Sequence, residues 1–341
     1  MQADKILIRG TNWIGDAVMT LPAITAIRKS FPNAQITILV KPWVADVFRY
    51  CPDVDDILLY ERPGRHGGAT GIFKLAMEIR QGKFDTAILL QNAIEAAIIA
   101  TLAGIPQRAG YNSDGRGFLL THPVKWTKSV RALHQVDYYL EMVRGLGCRK
   151  AGREAVLKLG RDEELLADAL LVGHGLQNNR LLVGMAPGAS YGPAKKWHPE
   201  RFGLVADRLI DTFEAQVMLF GSHADMESIT HVQQHAKHPL CSLAGKTNLR
   251  EAMALMTRCR LFISNDSGMM HLAGAMGIPV VAIFGSTNPK TTSPPGHHNI
   301  IIHEDVACSP CLKPVCPTDF RCMDLIRTDD VYEAAKRLLT P

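Results

Sequence analysis

Residues 261–287 read LFISNDSGMMHLAGAMGIPVVAIFGST, and this stretch decides the fold. Two apolar runs, 261–264 and 279–284, each have the length of a buried strand. Between them Asn265-Asp266-Ser267-Gly268 has the composition of a turn. Residues 269–276 have helical character, which Gly277 and Pro279 bring to an end. The pattern is strand, loop, helix, strand, with the loop at the carboxyl end of a parallel sheet. A helix N-terminus there offers unpaired N–H donors and partial positive charge, which favours a phosphate. His271 lies in the first turn of that helix and faces whatever the loop holds. The plainer reading is a capped helix, with Asp266 or Ser267 as cap and His271 incidental.

Working outward, the same alternation fills the chain. Its 341 residues suffice for two cores, so two domains are expected. Apolar residues make up 47% and charged residues 21%, a globular balance that excludes disorder. A net charge of +5 is mild and leaves no nucleic-acid footprint, so no nucleic acid is expected as partner. The apolar run at 5–9 is too short for a secretory leader. The stretch 93–105 contains Glu95 and falls short of a membrane span. The expectation is a soluble, cytoplasmic chain.

The first half opens with a strand at 5–9 that runs into Gly10-Thr11-Asn12-Trp13-Ile14-Gly15-Asp16 and a helix from about 17 to 29. This is strand, glycine loop, helix, as in a nucleotide-binding half-domain. The loop lacks GxGxxG spacing, and Asp16 stands where a phosphate loop needs a lysine. An acid at this junction repels phosphate and suits a carboxylate held near a substrate hydroxyl; it also complements a helix dipole. Strands at 35–40, 57–60, 86–90 and 108–111 alternate with helices at 42–50, 73–80 and 93–103. Such repetition implies a parallel sheet covered on both faces. Asp53-Val54-Asp55-Asp56 looks like a metal-binding pair, yet it precedes a strand and reads as turn and solvated edge. From 125 to 153 the balance is basic, with Trp126, Tyr138 and Tyr139 among the charges. That stretch is either solvated surface or a rim for an anionic or amphipathic partner.

A helix at 161–175 and a polar connector, Leu176-Gln177-Asn178-Asn179-Arg180, place the domain boundary near 175. A second series begins with a strand at 181–185 and the loop 186–197, APGASYGPAKKW. Glycines, the Ser190 hydroxyl and paired lysines after a strand are what a diphosphate needs. A strand at 216–220 ends in Gly221-Ser222-His223-Ala224-Asp225, positioned for a ribose or base. Three strand-end loops (186–197, 221–225, 264–271) therefore converge on one crevice. The residues alone support two α/β domains, a nucleotide-like ligand on the second and a carboxylate from the first.

With these loops laid out, the sequence resembles the bacterial heptosyltransferases of lipopolysaccharide core synthesis, glycosyltransferase family 9 with GT-B architecture. The resemblance is carried by Asn12-Trp13-Ile14-Gly15-Asp16 with Leu21-Pro22-Ala23, Pro187-Gly188-Ala189, Lys196-Trp197, Asn265-Asp266-Ser267-Gly268 with His271, Phe284-Gly285-Ser286-Thr287 and a cysteine cluster. These span almost the whole chain, and the start and the cysteine tail are similar to the heptosyltransferase II branch. The resemblance implies two Rossmann-like, doubly wound parallel-sheet domains facing a central cleft: 1–175 for the acceptor, 176–328 for the nucleotide sugar. It also implies that a last helix at 329–341 returns to the first domain. It implies inverting transfer of heptose from ADP-heptose to the first heptose of the lipid A inner core at the inner membrane. Asp16 would be the general base on the acceptor-side loop of Asn12, Trp13 and Gly15. Lys196 would neutralise the departing diphosphate, held with Ser190, Ser267, Gly268 and His271, while Asp266 contacts the sugar or phosphate end and Asp225 the ribose. No metal or other cofactor is needed for such chemistry. A monomer, peripheral on the inner face of the inner membrane, is expected. The alternatives are a heptosyltransferase I-type enzyme, a GT-B transferase or epimerase using another nucleotide sugar, and a binding module without turnover.

Eight cysteines remain. Four are scattered in apolar elements as small hydrophobes. Cys308, Cys311, Cys316 and Cys322 crowd together, either as a structural zinc site with no open position for catalysis or as a proline-stiffened loop that buries its thiols.

Overall fold

The computed structural model describes residues 3–340. The chain divides into two compact units, Met1–Ala155 and Val156–Pro341. Each is built on one six-stranded sheet in which every pairing is parallel.

In the first unit the strands are β1 (Lys5–Arg9), β2 (Gln35–Val40), β3 (Asp56–Leu59), β4 (Thr86–Leu89), β5 (Gln107–Tyr111) and β6 (His122–Val124). Their spatial order is β3-β2-β1-β4-β5-β6. The chain winds outward from β1 to β3, returns to β4 and winds the other way, so the topological switch lies between β1 and β4. β1, β2 and β4 are almost wholly buried, which explains their continuous Ile, Leu and Val runs. The edge strand β6, three residues with a proline and partly exposed, carries too little pattern to be read from sequence. The helix Ile14–Ser30 starts one turn earlier than its composition suggests, which puts Asp16 inside its first turn. The short helix after β2 stops at Ala45, well before residue 50. The acidic run serves structure. Asp53 accepts from Thr25 at 2.5 Å, and Asp55 takes the Arg28 guanidinium at 2.6 Å and the Ile36 N–H at 2.7 Å.

The second unit repeats the plan with β7 (Leu182–Ala186), β8 (Gln216–Leu219), β9 (Cys241–Ser242), β10 (Leu261–Asn265), β11 (Val280–Phe284) and β12 (Asn299–His303), ordered β12-β11-β10-β7-β8-β9. Its switch point lies between β7 and β10. β12 is a half-buried edge strand that alternation alone did not reveal.

Two expected boundaries need correction. The helix Arg161–Gly173 belongs to the second unit, not the first. It packs on the helix Leu249–Met256, Arg258 reaches Asp168 at 2.7 Å, and Leu157 N–H bonds the Ala275 carbonyl at 3.0 Å. The last helix, Thr328–Leu339, was expected to return to the first domain. Its principal packing is instead on the helix Pro199–Phe213 and on β10, β11 and β12. Val331, Tyr332, Ala334 and Ala335 enter the second core beside Trp197, Phe202 and Val205, and Arg208 lies 3.7 Å from the Tyr332 ring centroid. An amphipathic helix settles where its apolar stripe is covered, and here the second sheet covers it. Among the described residues no helix is long and apolar enough to cross a membrane.

Candidate active site

The switch point of the second sheet is where an open α/β sheet binds its ligand. The loops after β7 and β10 flank it, and Asn265 stitches them together. Its side chain donates to the Pro187 carbonyl at 2.7 Å and accepts the Trp197 N–H at 3.0 Å. Trp197 is fully buried, with its indole N–H on the Ile326 carbonyl at 3.1 Å. The 186–197 loop is thus anchored at both ends to the core.

The helix Gly268–Ala275 opens at this point. Ser267 precedes it in extended conformation, and no side chain caps it among the described residues. Neither Asp266 nor Ser267 acts as the cap that the plainer reading proposed. Ser267 Oγ sits 3.1 Å from Ser264 Oγ, itself donating to the Asn265 carbonyl at 2.7 Å. The first-turn N–H groups of Gly268 and its successors point where an anion is favoured. His271 is buried in the same turn.

Asp266 has a different place from the one expected. Its carboxylate is buried, and Oδ2 accepts from Lys195 Nζ and from Thr287 Oγ1, each at 2.6 Å. It is the counter-ion of Lys195. The lysine at the helix mouth is therefore Lys195, while Lys196 Nζ turns toward Ser228 Oγ at 3.3 Å. Lys195 also lies 5.1 Å from the Tyr191 ring centroid. Ser190 is exposed on the same loop. Asp225 accepts from the Ser222 N–H at 2.9 Å and the Ser222 hydroxyl at 2.8 Å. A Cβ placed on Gly188 would fall 2.1 Å from its Oδ1. The glycine is needed because the loops after β7 and β8 touch at this carboxylate. A groove of about 880 Å³ beside β8 and β9 touches none of the three loops.

In the first unit, Asp16 is half-buried in the first turn of Ile14–Ser30, with Gly15 buried beside it. That helix packs on the helix Gln135–Gly145. Burial of Tyr139 pushes its hydroxyl well above the ordinary tyrosine range, and the nearby Asp16 charge adds to the effect. Asn12 is held twice. Its side chain accepts from Arg9 Nη2 at 2.8 Å, and its carbonyl accepts the Trp43 indole N–H at 2.9 Å. Behind this loop lies a buried basic group that the sequence did not flag. Arg9 and Lys41 are both nearly inaccessible, and Lys41 Nζ stands 3.6 Å from the Tyr60 ring centroid. The Tyr60 hydroxyl donates to Glu95 at 2.8 Å. Burial first, and Arg9 second, push the Lys41 amine down to about 8.

The four clustered cysteines are free thiols. All border one cavity of about 20 Å³, whose wall also includes Ala194 and Ser286. Among the described residues no three His, Cys, Asp or Glu side chains stand together as a finished metal cage. The cysteine loop is tied to the loops after β7 and β11. Ala194 N–H bonds the Pro314 carbonyl at 3.0 Å, Leu312 N–H the Ser286 carbonyl at 2.8 Å, and the Tyr191 hydroxyl donates to the Leu312 carbonyl at 2.7 Å.

Residues 72–320 match the family profile described as glycosyltransferase family 9 (heptosyltransferase). The chain belongs to glycosyltransferase family 9. This family 9 glycosyltransferase is 30% identical to lipopolysaccharide heptosyltransferase 2 of Escherichia coli K12 over 316 residues, 87% of each chain. It is also 30% identical to lipooligosaccharide heptosyltransferase 2 of Campylobacter jejuni (strain 81116) over 348 residues, 99% of this chain and 100% of that one. Among solved structures it superposes on E. coli ADP-heptose LPS heptosyltransferase II with a TM-score of 0.81 at 26% identity, covering 98% of both chains. With a family 9 glycosyltransferase of Veillonella parvula the TM-score is 0.90 at 27% identity, covering 99% and 98%. The GT-B-like pair of parallel-sheet units is therefore the architecture of the family.

Proposed function

We propose that this glycosyltransferase moves heptose from ADP-L-glycero-D-manno-heptose to the first heptose of the lipopolysaccharide inner core, with inversion. The carrying observation is the uncapped mouth of Gly268–Ala275 with Lys195 beside it, in a chain so similar to the heptosyltransferases 2. The helix N–H groups hold the diphosphate, and Lys195 neutralises the charge that develops as ADP departs. Ser267, Gly268 and His271 line the same mouth, Ser190 and Lys196 border it, and Asp225 faces the ribose. Asp266 acts through Lys195. On the acceptor side Asp16 takes the proton as the acceptor hydroxyl oxygen bonds to the anomeric carbon and the bond to ADP breaks. Loss of water around Asp16 raises its proton affinity toward what a base requires.

The chemistry uses no cofactor. A structural zinc ion, if this enzyme carries one, would be held by Cys308, Cys311, Cys316 and Cys322, which border one cavity; they are not gathered as a finished cage, so binding would require the thiolates to be drawn together, and such a site would be closed to substrate. The enzyme works as a monomer, peripheral on the cytoplasmic face of the inner membrane, where its lipid-linked acceptor lies.

The test is transfer from ADP-heptose to heptosyl-Kdo2-lipid A by the native protein and by Asp16→Asn, following ADP release and product mass. Product from the native protein, lost in Asp16→Asn with ADP binding retained, supports both the reaction and the base. ADP binding without transfer to any core acceptor sinks the proposal. Elemental analysis of the purified protein decides the zinc separately.

A further inference from the structure

Two tryptophans stand half-exposed beside the Asp16 loop, Trp13 at 53% and Trp43 at 51%. Single exposed aromatics are ordinary on a protein surface. This pair is not scattered. Trp13 lies in the loop that follows β1, directly before the helix that carries Asp16. Trp43 follows β2, the strand paired with β1. Both sit at the carboxyl end of the first sheet, where an open α/β sheet binds ligands. The Trp43 indole N–H is spent on the Asn12 carbonyl at 2.9 Å, and Asn12 immediately precedes Trp13. That bond, with Lys41 Nζ at 5.9 Å from the ring centroid, restrains Trp43 while leaving half of it open to solvent.

A rigid aromatic face next to a carboxylate matches one class of ligand well. A pyranose presents an apolar C–H face for the ring and hydroxyl edges for hydrogen bonds. Tryptophan contributes large contact area at small entropic cost. We propose that Trp13 and Trp43 form an aromatic platform that seats a sugar ring of the acceptor with its reacting hydroxyl toward Asp16. The inference rests on the acceptor being a saccharide, as in the reading above. The indole bond gives Trp43 a second part, positioning the Asp16 loop through Asn12.

The test measures binding, so it is independent of turnover. The core oligosaccharide heptosyl-Kdo2, freed of fatty acids, is titrated by calorimetry into native protein, Trp13→Ala, Trp43→Phe and Trp43→Ala. Vesicles of anionic phospholipid are titrated in parallel. The platform predicts that Trp13→Ala and Trp43→Ala each weaken oligosaccharide binding about tenfold with ADP affinity unchanged. Trp43→Phe keeps most of the affinity, because its ring stays, while a separate turnover assay reads a lower kcat, because the indole N–H that holds the Asn12 carbonyl is gone. Equal oligosaccharide affinity in native and alanine variants overturns the proposal. So does a native protein that ignores the oligosaccharide while its tryptophan emission responds to vesicles, which assigns these rings to a lipid surface. Absence of heptosyl transfer, by contrast, bears on the reaction and not on this binding result.

Discussion

Replacing Lys195 by alanine tests the donor site most sharply, because two neighbouring lysines compete for one role. Lys195 Nζ lies 2.6 Å from Asp266 Oδ2, whose carboxylate is buried and shares that oxygen with Thr287. Removing the ammonium strands a buried charge on one hydroxyl. Breaking a buried pair from one side costs about 3–5 kcal/mol in general. Lys195 is partly open to solvent, so the lower end applies. For a unit of this size about 3 kcal/mol corresponds to a fall of roughly 6–12 °C in melting temperature. If Lys195 holds the diphosphate as proposed, the same substitution removes a charge-assisted contact worth about 1.5–3 kcal/mol, or about 10- to 150-fold in ADP affinity.

The two effects separate in a cycle. Adding Asp266→Asn to Lys195→Ala removes the stranded carboxylate and recovers most of the melting temperature, while ADP affinity stays low. Lys196→Ala, whose ammonium faces Ser228, changes ADP affinity several-fold at most. Calorimetric titration of ADP and thermal melting supply the numbers. If Lys195→Ala binds ADP within twofold of the native protein and Lys196→Ala does not, the diphosphate is held by Lys196 and the assignment from geometry is wrong.

Other consequences can be checked in the same preparations. Arg250, buried and paired with Glu163 at the start of Arg161–Gly173, holds that helix to the second unit; Arg250→Ala costs about 3–5 kcal/mol, read as a loss in chemical denaturation. Lys41 has its amine lowered by burial to about 8 from 10.5, so the unfolded chain holds more protons between those values and stability from this group rises with pH across that window. Lys41→Met therefore melts higher than native at pH 7, and the gap narrows above pH 8. In Gly192→Ala, at φ +152°, the new Cβ would fall 2.3 Å from the Pro314 carbonyl. Overpacking of that kind costs about 1–3 kcal/mol and should weaken ADP binding through the 186–197 loop, a result that wild-type ADP affinity in this variant would contradict.

The parts of the fold legible in the sequence are those where burial on both faces writes a continuous apolar run. β1, β2, β10 and β11 are of this kind, and the glycine or Asn-Asp-Ser-Gly segments after β1, β10 and β11 marked loops at strand ends. The edge strands β6 and β12 were not legible, because half-exposed residues next to proline or at a sheet margin carry no periodic signature. Nor does periodicity say which sheet an amphipathic helix will cover. Thr328–Leu339 shows its stripe plainly and Arg161–Gly173 reads as a helix, but their ownership follows from partners distant in sequence, Asp168 with Arg258 and Tyr332 with Arg208.

At the site the limit is finer. Composition announced a lysine pair, a serine-glycine helix start and an aspartate; Lys195, Ser267, Gly268 and Asp266 lie at the second switch point, while Lys196 turns toward Ser228. It did not announce which lysine turns inward. That is decided by the single turn Pro193–Lys195 and by the buried Trp197, which fixes the chain immediately after the two lysines. One residue of rotation exchanges the roles of Lys195 and Lys196. The same turn explains Asp266. A lone lysine ammonium beside an uncapped helix N-terminus would add positive charge to positive charge, and burying Asp266 against it offsets that repulsion until an anion arrives. On the proposed function, a diphosphate would then meet a cation already oriented, together with a carboxylate that discourages it from staying. An enzyme that releases ADP after each transfer, as proposed, would gain from both.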